Sequence, residues 1–144
     1  MTRIINQLPP QLRAVIGVLL GTTTGFAVMT AIRAVIPYQP PAGVSVTENT
    51  GQYNKWIEGL PTEGYLYIFM AFMVSALVAG AIAGYFVLGT RYKIAPHLAG
   101  FILLILSVGN FLAFNHPEWL TYISCIGFPV VAWLGGWIVR RVNG

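Results

Sequence analysis

The sequence has no aspartate, only four glutamates and a single cysteine. Charged residues make up 8% of the chain, whereas soluble domains have about 25%. A soluble protein with so little charge would leave large apolar patches in water and would aggregate. The single cysteine, Cys125, cannot form an internal disulfide. These shortages exclude an ordinary soluble domain and a disulfide scaffold.

Apolar residues, in contrast, make up 56% of the chain and are concentrated in four runs, at residues 14–36, 64–88, 98–114 and 119–139. A helix needs about 20 residues to cross about 30 Å of hydrocarbon. Inside a bilayer the backbone must bond to itself, so each run is expected to be helical. The pattern predicts an all-α bundle of four transmembrane helices in one domain over residues 1–144, with an external loop at 37–63.

The basic residues indicate the orientation of this bundle. Six of the eight lysines and arginines fall in segments that four crossings place on one side, namely Arg3, Arg13, Arg91, Lys93, Arg140 and Arg141. The other side has Arg33, Lys55 and all four glutamates. The positive-inside rule therefore predicts both termini in the cytoplasm, as in a bacterial inner membrane. Because topology explains the positive charge, we expect no nucleic-acid partner.

The external loop contains the segment "YNKWIEGLP", in which Tyr53, Trp56, Ile57 and Leu60 follow helical spacing. Tryptophan and tyrosine favour the membrane–water interface. We therefore predict a short interfacial helix here, with Tyr53 and Trp56 at the interface, and the same position for Trp119. The alternative is an irregular loop with its aromatic side chains packed against the bundle.

Small residues recur every four positions in two of the predicted spans. The first span has Gly17, Gly21 and Gly25, and the second has Ala76, Gly80 and Gly84, with Ser75, Ala79 and Ala83 beside them. Small residues allow close packing of helices in lipid. The simplest interpretation is that the first span packs against the second within one chain. The alternative is that one row binds a second subunit.

Few polar groups lie within the spans. Arg33 is three residues from the end of the first run, where an arginine can reach the interface or pair with Glu63 or Glu118. Asn110, in the middle of the third span, is expected to face the bundle and bond to a hydroxyl of a neighbouring helix. Pro129 removes a backbone hydrogen bond in the fourth span and predicts a kink. Arg33, Asn110 and Pro129 are the candidate ligand or lipid contacts.

Several short motifs, in a fixed order, resemble a family of small, uncharacterised four-helix membrane proteins of bacteria. They are "YQPPAG" after the first span, "LP" before the second, "AGAIAG" within it, "GN" in the third and "HPEW" before the fourth. The resemblance implies the four-helix fold and the membrane, and it implies no activity.

No catalytic or metal-binding set is apparent, and no cofactor is expected. The spans contain no paired carboxylates, and a proton-coupled carrier usually needs an intramembrane acid or histidine. We therefore expect a non-enzymatic protein and hold two hypotheses. The first is a structural or accessory subunit that associates with itself or with a larger membrane complex. The second is a small carrier, or a protein that binds lipid or an anion near Arg33 and Asn110.

Overall fold

In the computed structural model, which describes residues 7–45 and 48–143, the chain forms five helices. They are α1 (Pro10–Val35), α2 (Thr50–Glu58), α3 (Thr62–Phe86), α4 (Ala95–Ala113) and α5 (Glu118–Asn143). All but α2 are long and apolar enough to cross a membrane. This arrangement confirms the predicted fold class, a helical membrane bundle with a short helix in its first long loop.

All four long helices begin before their apolar runs, and the last also ends later, whereas α1, α3 and α4 end one or two residues before their runs do. The first begins at Pro10 rather than at residue 14, and the last continues to Asn143 rather than to 139. Prolines occupy the first turns of α1 and α4, where the missing N–H costs no helical bond. Hydropathy does not detect these end turns because their polar side chains lie beyond the apolar stretch.

The helix α3 is the centre of the bundle, with its most extensive contacts to α1 on one side and to α5 on the other. The helix α4 packs against α5, α3 and α1. We call the end that carries α2 the α2 end. The opposite end, where α1 begins and α5 finishes, is the basic end, defined by Arg13, Arg91, Lys93, Arg140 and Arg141. Arg3 lies outside the described residues.

The glycine row of α1 packs on α3 of the same chain. A Cβ atom added to Gly21 would lie 2.5 Å from the carbonyl oxygen of Ala79. One added to Gly25 would lie 2.8 Å from the carbonyl oxygen of Ser75, and one added to Gly17 3.2 Å from that of Ala83. Any side chain at these positions would push the two backbones apart, so the glycines allow the close approach.

The glycines of α3, however, face α5 rather than α1. A Cβ atom on Gly80 would overlap the carbonyl group of Ala132, and one on Gly84 would lie 2.6 Å from the Cα atom of Gly136. Ala76, in the same row, is fully buried. The two rows of small residues on α3 thus pack on different helices. The row with Ala79 packs on α1, and the row with Gly80, one position later, packs on α5. One position corresponds to about 100° around a helix, so α3 can pack closely on both sides.

A buried arginine joins α1 to the end of α3. The Arg13 side chain is 7% exposed. Its Nε atom donates a hydrogen bond to the Phe86 carbonyl and its Nη2 atom to the Leu88 carbonyl, both at 2.9 Å. The last carbonyls of a helix have no partner within the helix, and they carry partial negative charge. Arg13 supplies both the donors and the compensating charge.

We expect Arg13→Gln to lower the free energy of unfolding by about 2–3 kcal/mol, because hydrogen bonds to charged groups contribute about 1.5–3 kcal/mol and two carbonyls lose them. Denaturant unfolding in detergent, followed by far-UV circular dichroism, measures the change. Arg141→Gln is the matched control, since its guanidinium lies over the exposed Trp137 ring. Equal effects of the two substitutions would contradict a capping role for Arg13.

Candidate functional site

The short helix α2 covers one end of the bundle. Its Ile57 side chain is fully buried, and the Tyr65 hydroxyl of α3 donates a 2.6 Å hydrogen bond to the Ile57 carbonyl. On the other side, the Asn115 backbone N–H donates to the Asn54 side chain at 2.8 Å, and the Asn115 amide donates to Glu58. The helix α2 is therefore attached both to α3 and to the loop between α4 and α5.

The aromatic residues predicted for the interface differ in position. Tyr53 is 5% exposed and lies inside, with its ring 4.9 Å from that of Phe114. Trp56 is half-buried and packs on Tyr53 at 5.2 Å. Trp119 is exposed, with its edge toward Tyr65. The Tyr53 side chain thus packs against the bundle, and its position at the membrane interface stays a prediction.

Beneath Tyr53 is a cleft of about 340 Å³. Its walls are the last two turns of α1 and of α4, and its floor is the Phe72 ring of α3. Most of the lining is apolar, including Phe26, Met29 and Leu106. Arg33 and Asn110, which are far apart in sequence, both border this cleft.

A second cavity, of about 240 Å³, lies beside the first, next to the loop after α1. The two cavities share Thr30, Arg33 and Tyr53. The second is also lined by Gln39 and Trp56. The two cavities are therefore adjacent, and Arg33 borders both.

The guanidinium of Arg33 is only partly committed to the protein. Its Nη2 atom donates a 3.0 Å hydrogen bond to the Tyr53 hydroxyl, whereas a guanidinium has five N–H donors. Glu63, one of its predicted partners, instead accepts a 3.2 Å hydrogen bond from the Tyr38 hydroxyl. The Gln39 amide occupies the end of α1 by donating to the carbonyls of Arg33 and Ile36. Arg33 therefore borders the cleft, and among the described residues Tyr53 is the one partner of its guanidinium.

Asn110 also lacks the partner expected from the sequence. It lies one turn from the end of α4, rather than in the middle, and its Oδ1 atom is buried without a donor among the described residues. The nearby hydroxyls donate within their own helices, Ser107 to the Leu103 carbonyl and Thr30 to the Phe26 carbonyl. Serine and threonine in helices commonly do so, which removes them as partners.

Pro129, the third candidate contact, lies apart from this cleft. It is in the interior of α5, which continues unbroken from Glu118 to Asn143. The cleft is lined by α1, α2, α3 and α4. Pro129 is half-buried beside Phe128, whose side chain is fully buried. We assign it no contact with a ligand in the cleft.

His116, which the sequence did not single out, lies in the loop beside this end. Its Nδ1 atom is 3.0 Å from the Phe114 carbonyl, and its Nε2 atom is buried without a partner among the described residues. Burial lowers the pKa of the ring, and the positive charge of Arg33 acts in the same direction, against the hydrogen bond to Phe114. The only signal in the sequence is its place before Pro117, at the start of α5.

We expect the protein to lose stability as the pH falls below about 6.5, the ordinary histidine pKa in an unfolded chain. Below that pH the unfolded chain binds a proton that folded His116 resists, because its folded pKa is lowered. The loss continues down to the folded pKa. Thermal unfolding in detergent between pH 8 and pH 5 measures it. His116→Gln should flatten the slope, and an unchanged slope would contradict this assignment.

Across residues 7–45 and 48–143, no three histidine, cysteine, aspartate or glutamate side chains come together in a group suited to a metal ion. Comparisons with protein-family models, with curated proteins and with solved structures found no match to the chain. The assignment of function therefore rests on the cleft at the α2 end.

Proposed function

We propose that this integral membrane protein is non-enzymatic and binds an amphiphile with an anionic group, a carboxylate or a phosphate, in the cleft at the α2 end. One observation carries the proposal. An apolar cleft of about 340 Å³ has Arg33 on its border, and among residues 7–45 and 48–143 the guanidinium of this arginine binds one partner, the Tyr53 hydroxyl. Such a cleft matches an apolar chain joined to an anion.

Arginine suits the anionic group because its planar fork binds carboxylates and phosphates through two parallel hydrogen bonds. The surrounding side chains are mostly apolar, so the attraction between the Arg33 guanidinium and the anionic group is screened less than it would be in water. The second cavity, lined by Gln39 and Trp56, provides space for the polar part of the ligand. The first cavity, lined by Phe26 and Leu106, provides space for the apolar chain of the ligand.

The charge distribution supports an orientation for this site. Five of the described cations lie at the basic end, and the four glutamates lie in segments of the α2 end. By the positive-inside rule, we place both termini in the cytoplasm and the cleft in the outer half of a membrane, as in the inner membrane of a bacterium. The ligand would then enter from the outer leaflet or from outside the cell.

The accessory-subunit hypothesis has less support. It depended on small-residue rows that could bind another chain. Those rows pack within this chain, with Gly21 against Ala79 and Gly80 against Ala132. They therefore provide no free groove for a partner subunit, and association with other subunits or with a second copy has no separate observation in its favour.

The test is a comparison of Arg33→Gln with the wild type. We expect the substitution to weaken binding of a long-chain fatty acid or of a lysophosphatidate at least about tenfold, because a charge-assisted hydrogen bond contributes about 1.5–3 kcal/mol. Titration in detergent, followed by native mass spectrometry, measures it. The two ligands distinguish a carboxylate from a phosphate as the anion that is bound.

Lys55→Gln is the matched control, because it removes one cation from the same end at an exposed position of α2. It should leave binding unchanged. Arg33→Lys, which keeps the charge and loses the fork, should give an intermediate affinity. Equal binding by the wild type and Arg33→Gln, for both ligands, would reject the proposal.

A further inference from the structure

Among residues 7–45 and 48–143, the basic end has several cations and no glutamate. Its described cations are Arg13, Arg91, Lys93, Arg140 and Arg141, and the four glutamates all lie in segments of the α2 end. Arg13 is committed to the end of α3. The Nη1 atom of Arg140 is buried and has no hydrogen-bond partner among the described residues. The described residues thus offer no acidic partner for the remaining cations at this end.

An apolar groove of about 220 Å³ leads to this charge. It lies between the first turns of α1 and the start of α4, where Ala14 and Ala95 are small enough to leave space. Its rims are exposed apolar side chains, with Leu19 60% and Ile94 59% exposed. The groove is independent of the cleft at the α2 end, with which it shares no lining residue.

The loop between α3 and α4 joins the groove to the cations. Tyr92 lines the groove, and the Arg91 guanidinium lies 5.5 Å above the centre of the Tyr92 ring. Lys93 follows directly and is exposed. Gly136 packs on Pro96, at the start of α4, and Arg140 lies one helical turn further along the same face of α5. Apolar surface and free positive charge therefore meet at this loop.

We propose that this groove binds an anionic glycerophospholipid, with an acyl chain between α1 and α4 and the phosphate at Arg91 and Lys93. A soluble phosphate would leave the groove empty, and a zwitterionic lipid would leave the cations unbalanced. A second copy of the chain would bring another basic end against this one. Basic pockets between transmembrane helices are known to bind the headgroups of anionic lipids.

The experiment titrates the purified full chain in detergent with phosphatidylglycerol and with phosphatidylcholine of the same acyl chains, followed by native mass spectrometry. We expect phosphatidylglycerol to bind more tightly. Arg91→Gln and Lys93→Gln should each weaken its binding about fivefold, since a basic residue near an anionic surface contributes about 1 kcal/mol. Lys55→Gln removes an equal charge at the α2 end and should have no effect.

Filling the groove tests the acyl chain separately. Ala14→Phe should weaken binding of both lipids, whereas Ala31→Phe, at an exposed position of the same helix, should not. Leu98→Ala, which removes part of an exposed wall, is the second variant in case Ala14→Phe does not fold. It should also weaken binding of both lipids.

Equal affinity for the two lipids, equal effects of Arg91→Gln and Lys55→Gln, or displacement by soluble glycerophosphate would overturn the proposal. None of these results depends on the cleft at Arg33.

Discussion

Gly80→Ala is expected to destabilise the protein by about 3 kcal/mol, at the upper end of the usual cost of overpacking. The added Cβ atom would overlap the carbonyl group of Ala132, so either helix must move. The helices have no spare room nearby to absorb this movement. At Gly135 of α5 the two backbones are also so close that an added Cβ atom would overlap the Leu77 carbonyl. The contact between α3 and α5 is backbone to backbone at this point, and a single methyl group must open it.

Gly109→Ala provides the control for this substitution. Gly109 is also inside a membrane helix, α4, but apart from its chain neighbours and the nearby backbone of α4, no atom of the described residues lies within 4 Å of the Cβ that would be added. Alanine there should be neutral or should stabilise the helix by about 0.5–1 kcal/mol. Unfolding in mixed micelles and size-exclusion chromatography of both variants measure the difference. Similar behaviour of the two would contradict the close approach of α3 and α5.

Asn110→Leu is expected to raise the stability of the empty protein and to weaken ligand binding. The buried Oδ1 atom of Asn110 has no donor among the described residues, and an unsatisfied buried polar atom costs about 1–3 kcal/mol. Leucine has a similar size and removes that cost. The same change removes a polar group from the cleft beside Arg33. A residue that reduces stability in the empty cleft is typical of a binding site.

Ser107→Ala is the matched control for this second prediction. Ser107 lines the same cleft one turn earlier on α4, but its hydroxyl is bound to the Leu103 carbonyl. Removal of this hydroxyl should change little in either the free energy of unfolding or the affinity for a fatty acid. The free energy of unfolding and the affinity for a fatty acid are measured on the same preparations. A loss of stability in Asn110→Leu would show that the amide is satisfied in the protein.

The architecture was predictable from hydropathy, whereas the helix ends and the pairing of faces were not. Four apolar runs were enough for four spans, because a bilayer leaves the backbone no alternative to helix. The role of Arg13 could not be predicted, because its partners are carbonyls about 75 residues away. The row containing Gly80 was assigned to α1, since spacing shows which residues share a face and does not show which helix that face meets.

The candidate site was predictable only in outline. Arg33 and Asn110 could be selected because polar side chains are costly in a membrane and so mark special positions. That they border one cleft depends on how α1 and α4 are rotated in the bundle, which no local pattern specifies. The burial of Tyr53 could not be predicted for the same reason, because α2 could turn its aromatic face toward lipid or toward protein. Pro129 was selected as a kink, and its position on α5 separates it from the cleft.

The most direct test of the proposed function is gentle extraction of the protein from native membrane, followed by mass measurement of the intact wild type and Arg33→Gln. The proposal predicts that the wild-type chain carries a bound amphiphile with a carboxylate or phosphate, and that Arg33→Gln loses it. A wild type that carries no such ligand, or that retains it equally after Arg33→Gln, would contradict the proposal. Recovery of the chain only in a stoichiometric complex with other proteins, with the cleft empty, would favour an accessory subunit instead.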